Sequence, residues 1–250
     1  MKLTELTDFL DEYLSIAVIE DKSLNGLQVE GHPEVHKVAL ATDACLETFL
    51  KAASLRADFL LTHHGIFWGT QFAIKGIHAE RIKTLISNGI SLYAVHLPLD
   101  LHPEIGNNVE LIKLLGFEVA EPFGIYHGVA IGYTGRRKRP VSYSSILNKL
   151  QKELGVKPKG YQFGTDRIKT IAVISGGGAS MIEQVTGKEI DLFLTGESDH
   201  VSYHLAKELQ VNIVYSGHYA TETLGIRSLG RVIEEKFGLE TVFIDVPTGM

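Results

Sequence analysis

Asp58-Phe59-Leu60-Leu61-Thr62-His63-His64-Gly65 is the stretch from which the rest of the chain can be read. Phe59 to Leu61 is an apolar run that reads as a buried strand. It ends in two consecutive histidines at a glycine. Adjacent residues on a strand point to opposite faces, so two neighbouring ligands normally diverge. At a strand end that opens into a loop, both rings can converge on one place. Imidazole is the commonest protein metal ligand, and the carboxyl ends of strands in open α/β sheets are where sites form. The working expectation is that His63 and His64 each hold one ion of a metal pair. The competing reading is a histidine pair that merely flanks a core strand.

Working outward, Val38-Ala39-Leu40-Ala41-Thr42 is a second continuous apolar strand, of the kind covered on both faces. A helix at about Ala44–Leu55 separates the two. After Gly65 comes a glycine- and aromatic-rich loop, Gly65-Ile66-Phe67-Trp68-Gly69, running to Gly76-Ile77. Beside a site it reads as a lid or a stacking wall for an aromatic ligand, or as an aromatic anchor for a long loop. A helix at His78–Asn88 and a strand at Ile90–Val95 lead to His96-Leu97-Pro98-Leu99-Asp100, and Asn107 or Asn108 caps a helix to Leu115.

Upstream, Leu3, Leu6, Leu10, Tyr13 and Leu14 sit at helical spacing, with Thr4 as cap. Asn25-Gly26-Leu27-Gln28-Val29-Glu30-Gly31 reads as a turn and a short strand. Downstream, the glycines and proline of Val119–Tyr133 mark a break in texture, where the domain crossover is expected. Arg136-Arg137-Lys138-Arg139 reads as a solvated basic loop or a contact for an anion. A helix near Tyr143–Leu154 and a strand at Ile168–Ser175 follow. Gly176-Gly177-Gly178 then opens a helix without matching a phosphate-loop or dinucleotide spacing.

The chain also repeats itself. Val38–Thr42 aligns with Ile171–Ser175, and Asp58–Thr62 with Asp191-Leu192-Phe193-Leu194-Thr195. His63-His64 then falls on Gly196-Glu197. Beyond the loop, His78 meets His200, Ser91-Leu92-Tyr93 meets Ile213-Val214-Tyr215, His96 meets His218 and Asp100 meets Glu222. Strand matches are cheap; the polar coincidences carry more weight. The fold class expected is α/β: two similar three-layer α/β/α domains from an internal duplication. The halves are expected at residues 1–120 and 121–250, with the segment from about 218 to 250 packing back on the first half.

Composition narrows the function. The net charge of -6 disfavours a broad nucleic-acid footprint and lowers the reading of a nucleic-acid phosphoesterase. Cys45 is the only cysteine, so there is neither an internal disulfide nor a cysteine-type zinc site, which fits a reducing cytoplasm. Met1–Leu14 lacks the unbroken apolar core of a signal peptide, and no run approaches the ~18 apolar residues of a membrane span.

Histidines and carboxylates in this pattern suit a pair of first-row transition ions. Asp100 and Glu222 are natural bridging ligands, and His63, His64 and His218 terminal ones. His96 stands between direct ligation and a supporting position, because Pro98 fixes the backbone beside it. Glu197 reads as a group that orients water or acts as general base, or as a carboxylate favoured at a helix N-terminus. A nitrogen and oxygen shell without thiolate admits iron, manganese, zinc or nickel. His32, His36, His102, His127 and His204 read as surface or core residues.

These residues resemble the YbgI-type, Nif-three-like dinuclear metal family, whose members are named as homologues of GTP cyclohydrolase I type 2. The likeness runs along essentially the whole chain. It rests on Asn25–Gly31, on Thr62-His63-His64-Gly65 with Phe67-Trp68, and on His96-Leu97-Pro98-Leu99-Asp100 with His102-Pro103 and Gly106-Asn107-Asn108. It continues in Leu194-Thr195-Gly196-Glu197, Gly217-His218-Tyr219-Ala220-Thr221-Glu222 and Phe243-Ile244-Asp245-Val246-Pro247. The resemblance implies intertwined duplicated domains, a toroidal homohexamer with sites facing an inner cavity, and metal ligation by His63, His64, Asp100, His218 and Glu222, with His96 close by. It implies hydrolytic opening of the GTP imidazole ring, or work on a related nucleotide-like, heterocyclic or amide substrate. The alternative is a ring assembly that binds metal and partners without catalysis.

Overall fold

A computed structural model describes residues 1–250. Its strands are β1 (Gly26–Val29), β2 (Lys37–Asp43), β3 (Phe59–His64), β4 (Ser91–Ala94), β5 (Glu118–Tyr126), β6 (Val129–Ser142), β7 (Lys159–Tyr161), β8 (Arg167–Ile174), β9 (Leu192–Thr195), β10 (Asn212–Tyr215) and β11 (Glu240–Phe243). Its helices are α1 (Leu3–Tyr13), α2 (Leu46–Ser54), α3 (Ile77–Ser87), α4 (Leu97–Asp100), α5 (Asn107–Leu114), α6 (Tyr143–Leu154), α7 (His200–Glu208), α8 (His218–Thr221) and α9 (Thr223–Phe237). The chain forms two units. Met1–Leu99 and Ile226–Val246 make the first; Asp100–Gly225 and Pro247–Met250 make the second. No helix is long and apolar enough to cross a membrane.

The first unit carries a five-stranded sheet in the order β1-β4-β3-β2-β11. β11, β2, β3 and β4 are parallel, and β1 closes the edge antiparallel to β4. The central strands are buried on both faces, which explains their unbroken apolar runs. Ala39, Ala41, Leu60 and Leu92 pack with Phe49 and Ala52 of α2 and Leu85 of α3. On the other face α9 lies so close to β2 that a methyl on Gly230 would sit 2.3 Å from Leu40 Cδ1.

The second unit carries six strands in the order β5-β6-β8-β9-β10-β7. β8, β9 and β10 are parallel, with β7 antiparallel on the β10 edge and β6 antiparallel on the other side. One face packs Ile171, Val173, Leu192 and Leu194 with Ile112 of α5 and Ile146 and Leu150 of α6. The other packs Ala172, Ile174, Phe193 and Ile213 with Ala206 of α7 and Ile182 of the 3₁₀ turn Ala179–Val185. Each unit is thus a sheet between helical layers.

The repeated strand pairs share their register. Val38 faces Phe59 in the first unit and Ile171 faces Leu192 in the second. An aspartate locks each pair. Asp58 Oδ2 accepts from the His36 and Lys37 backbone N–H groups at 2.8 and 3.0 Å. Asp191 Oδ2 accepts from those of Lys169 and Thr170 at 2.7 and 2.9 Å. The next strand corrects the sequence alignment by one residue. Phe59 faces Ser91, and its counterpart Leu192 faces Asn212 rather than Ile213. His96 therefore corresponds to Gly217, and His218 lies one residue further on.

Val119–Tyr133 is not a crossover. It is the antiparallel hairpin of β5 and β6, turning at His127-Gly128. Its glycines mark close packing, since a methyl on Gly124 or Gly132 would fall 2.5 or 2.6 Å from side-chain atoms of Ile174. The division between units falls instead at Leu99/Asp100. Arg136–Arg139, expected in a loop, belongs to β6, whose ladder with β8 shifts register between Arg136 and Val141. Thr4 does not cap α1; Lys2 stands at that N-cap.

Candidate metal centre

The end of β3 carries both histidines, and His96, read from the sequence as a ligand or a supporting group, lies beside them. One ligand atom from each of His63, His64 and His96 falls within 4.8 Å of the others. Their rings lie 4.7 to 5.6 Å apart, centroid to centroid. His63 is fully buried. Its Nδ1 lies 2.9 Å from the Val95 carbonyl oxygen. A carbonyl can only accept, so Nδ1 carries the proton and Nε2 is the nitrogen for a metal.

The other two imidazoles are held in the same sense. His64 Nδ1 donates to Asp43 Oδ1 at 2.8 Å. His96 Nδ1 meets both oxygens of Asp21, at 3.1 and 3.0 Å. Asp21 also accepts from the Ser23 and Leu97 backbone N–H groups and from Asn25 Nδ2. Burial opposes ionisation of Asp21, but the His96 hydrogen bond and charge, with Asn25 and the Ser23 N–H, outweigh it and hold the carboxyl at about 2. Asp21 therefore remains an anionic acceptor at neutral pH. Sequence reasoning missed Asp21 and Asp43: neither sits in a repeated motif, and each becomes visible only through the histidine it holds.

The Asn25–Gly31 motif acquires a purpose here. Asn25 Oδ1 accepts the His96 backbone N–H at 2.8 Å. Gln28 Oε1 accepts the Ile66 N–H at 2.8 Å, which fastens the loop just beyond the histidines. Gln28 packs where a side chain on Gly65 would stand, since a methyl there would lie 2.2 Å from Gln28 Nε2. Trp68 lies on the outer side of this cluster, its ring 5.7 Å from His64 and 5.0 Å from His96.

The second unit gathers Asp100, His218, Glu222 and Glu197. Asp100 and Glu222 are both buried, and a carboxylate oxygen of each lies within 4.8 Å of the other. Asp100 Oδ1 accepts from Asn107 Nδ2 at 2.8 Å and Ser175 Oγ at 3.1 Å. Gly106, not an asparagine, occupies the N-cap of α5. Asn107 and Asn108 are turned inward instead. Asn108 Nδ2 donates to the Asp100 and Ile131 carbonyls, and its Oδ1 accepts the Ser175 N–H.

His218 is held from both sides. Nδ1 pairs with Glu197 Oε1 at 2.7 Å and Nε2 with Glu222 Oε2 at 3.0 Å. Burial opposes the imidazolium, but Glu222 and then Glu197 outweigh it and push the pKa up to about 9. Glu197 thus grips the ring of His218, a contact the sequence reading did not include. The glycine run has a spatial reason too. Gly176 has φ +59, and a methyl on it would lie 2.1 Å from Glu222 Oε1 and 3.1 Å from His218 Nε2. The Gly176 and Gly178 N–H groups are spent on Thr221 Oγ1 and Thr195 Oγ1, so the run makes room for a carboxylate rather than cradling an anion.

The donor set suits a divalent ion. Closely spaced buried carboxylates gain from a cation between them. Imidazoles whose Nδ1–H is tied to an oxygen are oriented as metal ligands usually are. Fold and residues together define an α/β protein with histidine and carboxylate groups able to hold a metal. The Duf34/NIF3 (NGG1p interacting factor 3) family profile matches residues 1–249, and the chain belongs to that family. It is 52% identical over its full length to a Pyrococcus horikoshii protein named GTP cyclohydrolase 1 type 2 homolog, with 100% of both chains covered. Among solved structures it is similar to the protein ybgI, at 37% identity and TM-score 0.93, and to TTHA1606 from Thermus thermophilus, at 41% and 0.91. Both likenesses cover 100% of each chain.

Proposed function

We propose that the protein is a metal-dependent hydrolase of a nucleotide-like or other small heterocyclic or amide substrate, working in the cytoplasm. In this reading a dinuclear centre of divalent transition ions is held by His63, His64, Asp100, His218 and Glu222, with His96 as a further ligand. The observation that carries it is common to all four histidines: each Nδ1 is engaged by an oxygen, so each ring is set to offer Nε2. Bound divalent ions supply Lewis acidity and a nucleophile at neutral pH. The chain supplies orientation. Val95, Asp43, Asp21 and Glu197 fix the imidazoles, and Asn107 and Ser175 fix Asp100. Glu197 acts through His218 with Oε1, and its second oxygen keeps the role of proton acceptor. The substrate class follows the names of the relatives, which makes GTP the first compound to try. A homohexameric ring belongs to the same reading, and its test is mass measurement by analytical ultracentrifugation.

Elemental analysis of the purified protein should find about two divalent ions per chain, as a dinuclear site requires. The loaded protein should turn over GTP or a member of a nucleotide and amide panel. Glu222→Ala should lose metal and turnover while keeping its circular dichroism spectrum. A fully metallated protein that leaves the whole panel intact overturns the hydrolase reading and leaves a metal-binding assembly in its place.

A further inference from the structure

The loop after His64 is fastened at its root. Gln28 Oε1 holds the Ile66 N–H, the Leu24 N–H donates to the Phe67 carbonyl at 3.0 Å, and Trp68 Nε1 donates to the Gly65 carbonyl at 2.9 Å. Ile66 is buried at 8% exposure and packs in the core of the first unit. Phe67 packs at the edge of that core and stacks on Phe72. Anchoring is therefore done by Ile66 and Phe67. Trp68 is 38% exposed although its ring is pinned. Its plane stands 72° to His96 and 49° to His64, so it borders the imidazole cluster without lying flat on either ring. A rigid, partly exposed indole beside a cluster of ligand groups presents an aromatic face at low conformational cost.

We infer that Trp68 is a stacking platform that holds a planar heteroaromatic ring next to the imidazoles of His64 and His96. The inference rests on the hydrolase reading and narrows its substrates to those that carry such a ring. Stacking tolerates different bases, because each has a π-face. Selection by Trp68 is thus for flatness and aromaticity rather than for one pattern of hydrogen bonds. In this role Trp68 positions the substrate and transfers no proton.

Trp68 is the only tryptophan, so the emission of the protein reports on this one ring. Guanosine, and ribose as the non-aromatic control, would be titrated into the full-length protein as purified and after treatment with EDTA. Guanosine should quench the emission saturably in both forms, and ribose in neither. By calorimetry Trp68→Ala should weaken guanosine binding about tenfold or more, the usual cost of losing one base–aromatic stack. Trp68→Phe should restore most of that affinity, and both variants should retain the metal content of the unmodified protein. The inference is overturned if guanosine acts no differently from ribose, or if Trp68→Ala binds guanosine as tightly as the parent. It is also overturned if emission follows protein concentration and ignores guanosine, which would mark the indole as a contact between copies. Guanosine quenching in a protein that takes up no divalent ion when one is supplied would sustain the platform and sink the hydrolase reading instead.

Discussion

β3 and β9 occupy equivalent places in their sheets and end differently. β3 finishes in His63-His64 and opens into a long aromatic loop; β9 runs into Gly196-Glu197 and reaches α7 within a few residues. The second unit has no room for the first unit's solution. A methyl on Gly196 would lie 2.7 Å from the Gly176 carbonyl oxygen and 2.9 Å from the His218 Cα. That space has gone to the glycine run, which in turn admits the Glu222 carboxylate. One strand end therefore presents imidazole nitrogens, and the other clears a path for carboxylate oxygens. Similar scaffolds need not share their chemistry. A glycine at the repeat position of a histidine marks where backbone has come closer.

The largest effect should come from refilling that space. Gly176→Ala combines a left-handed backbone with a methyl 2.1 Å from Glu222 Oε1. Strain and overpacking together should cost about 2–4 kcal/mol in urea unfolding, and metal binding should go with it. Gly196→Ala meets backbone atoms that cannot swing aside and should cost about 1–3 kcal/mol. If both variants are as stable as the parent, the steric account of the difference between the two strand ends is wrong.

Next in size are the groups that hold the imidazoles. Loss of such a partner lowers metal affinity by roughly 10–100-fold. The Asp21 side chain is only 3% exposed and serves His96 together with three other donors. Glu197 is about half exposed, and water can replace part of its work. Asp21→Asn should therefore fall near the upper end of that range, and Glu197→Gln near the lower. Competition with a chromogenic chelator would rank them, and the reverse order would show that burial is the wrong measure of these supports.

Much of this was legible before any coordinates. The unbroken apolar runs of β2, β3, β8 and β9 announce strands covered on both faces, and Asp58 and Asp191 are visible as a repeated signpost. Coordinates then show that each aspartate performs the same backbone-locking job. His63 and His64 stand out because adjacent histidines at a strand end are uncommon. What stayed hidden depends on contacts between residues far apart in sequence. Asp21 reaches His96 and Asp43 reaches His64, with nothing in the intervening chain to pair them. The alignment of His96 with His218 looked persuasive and was one residue out, because matching side chains is weaker evidence of register than the hydrogen-bond ladder. The glycines of the β5–β6 hairpin imitated a linker, since close packing and flexible connection draw on the same residue.

The smallest predicted effect is a pH dependence centred on His218. His218 lies between two carboxylates. With metal removed, His218 has a folded pKa of about 9 against an ordinary value of 6.5. A raised pKa means that the folded state binds the proton more tightly than the unfolded chain. The stabilisation is fully present below 6.5 and is lost as the pH rises through 9. The Tm of the chelated protein should therefore fall across that window. Glu222→Gln, which removes the stronger of the two partners, should flatten the fall. In the proposed centre His218 would offer an unprotonated Nε2, so the chelated protein should release a proton on metal uptake below pH 9, and the Tm of the loaded protein should not follow the same curve. If Glu222→Gln leaves the fall in Tm intact, the titration belongs to another group, and the account of His218 as the proton held between two carboxylates is wrong.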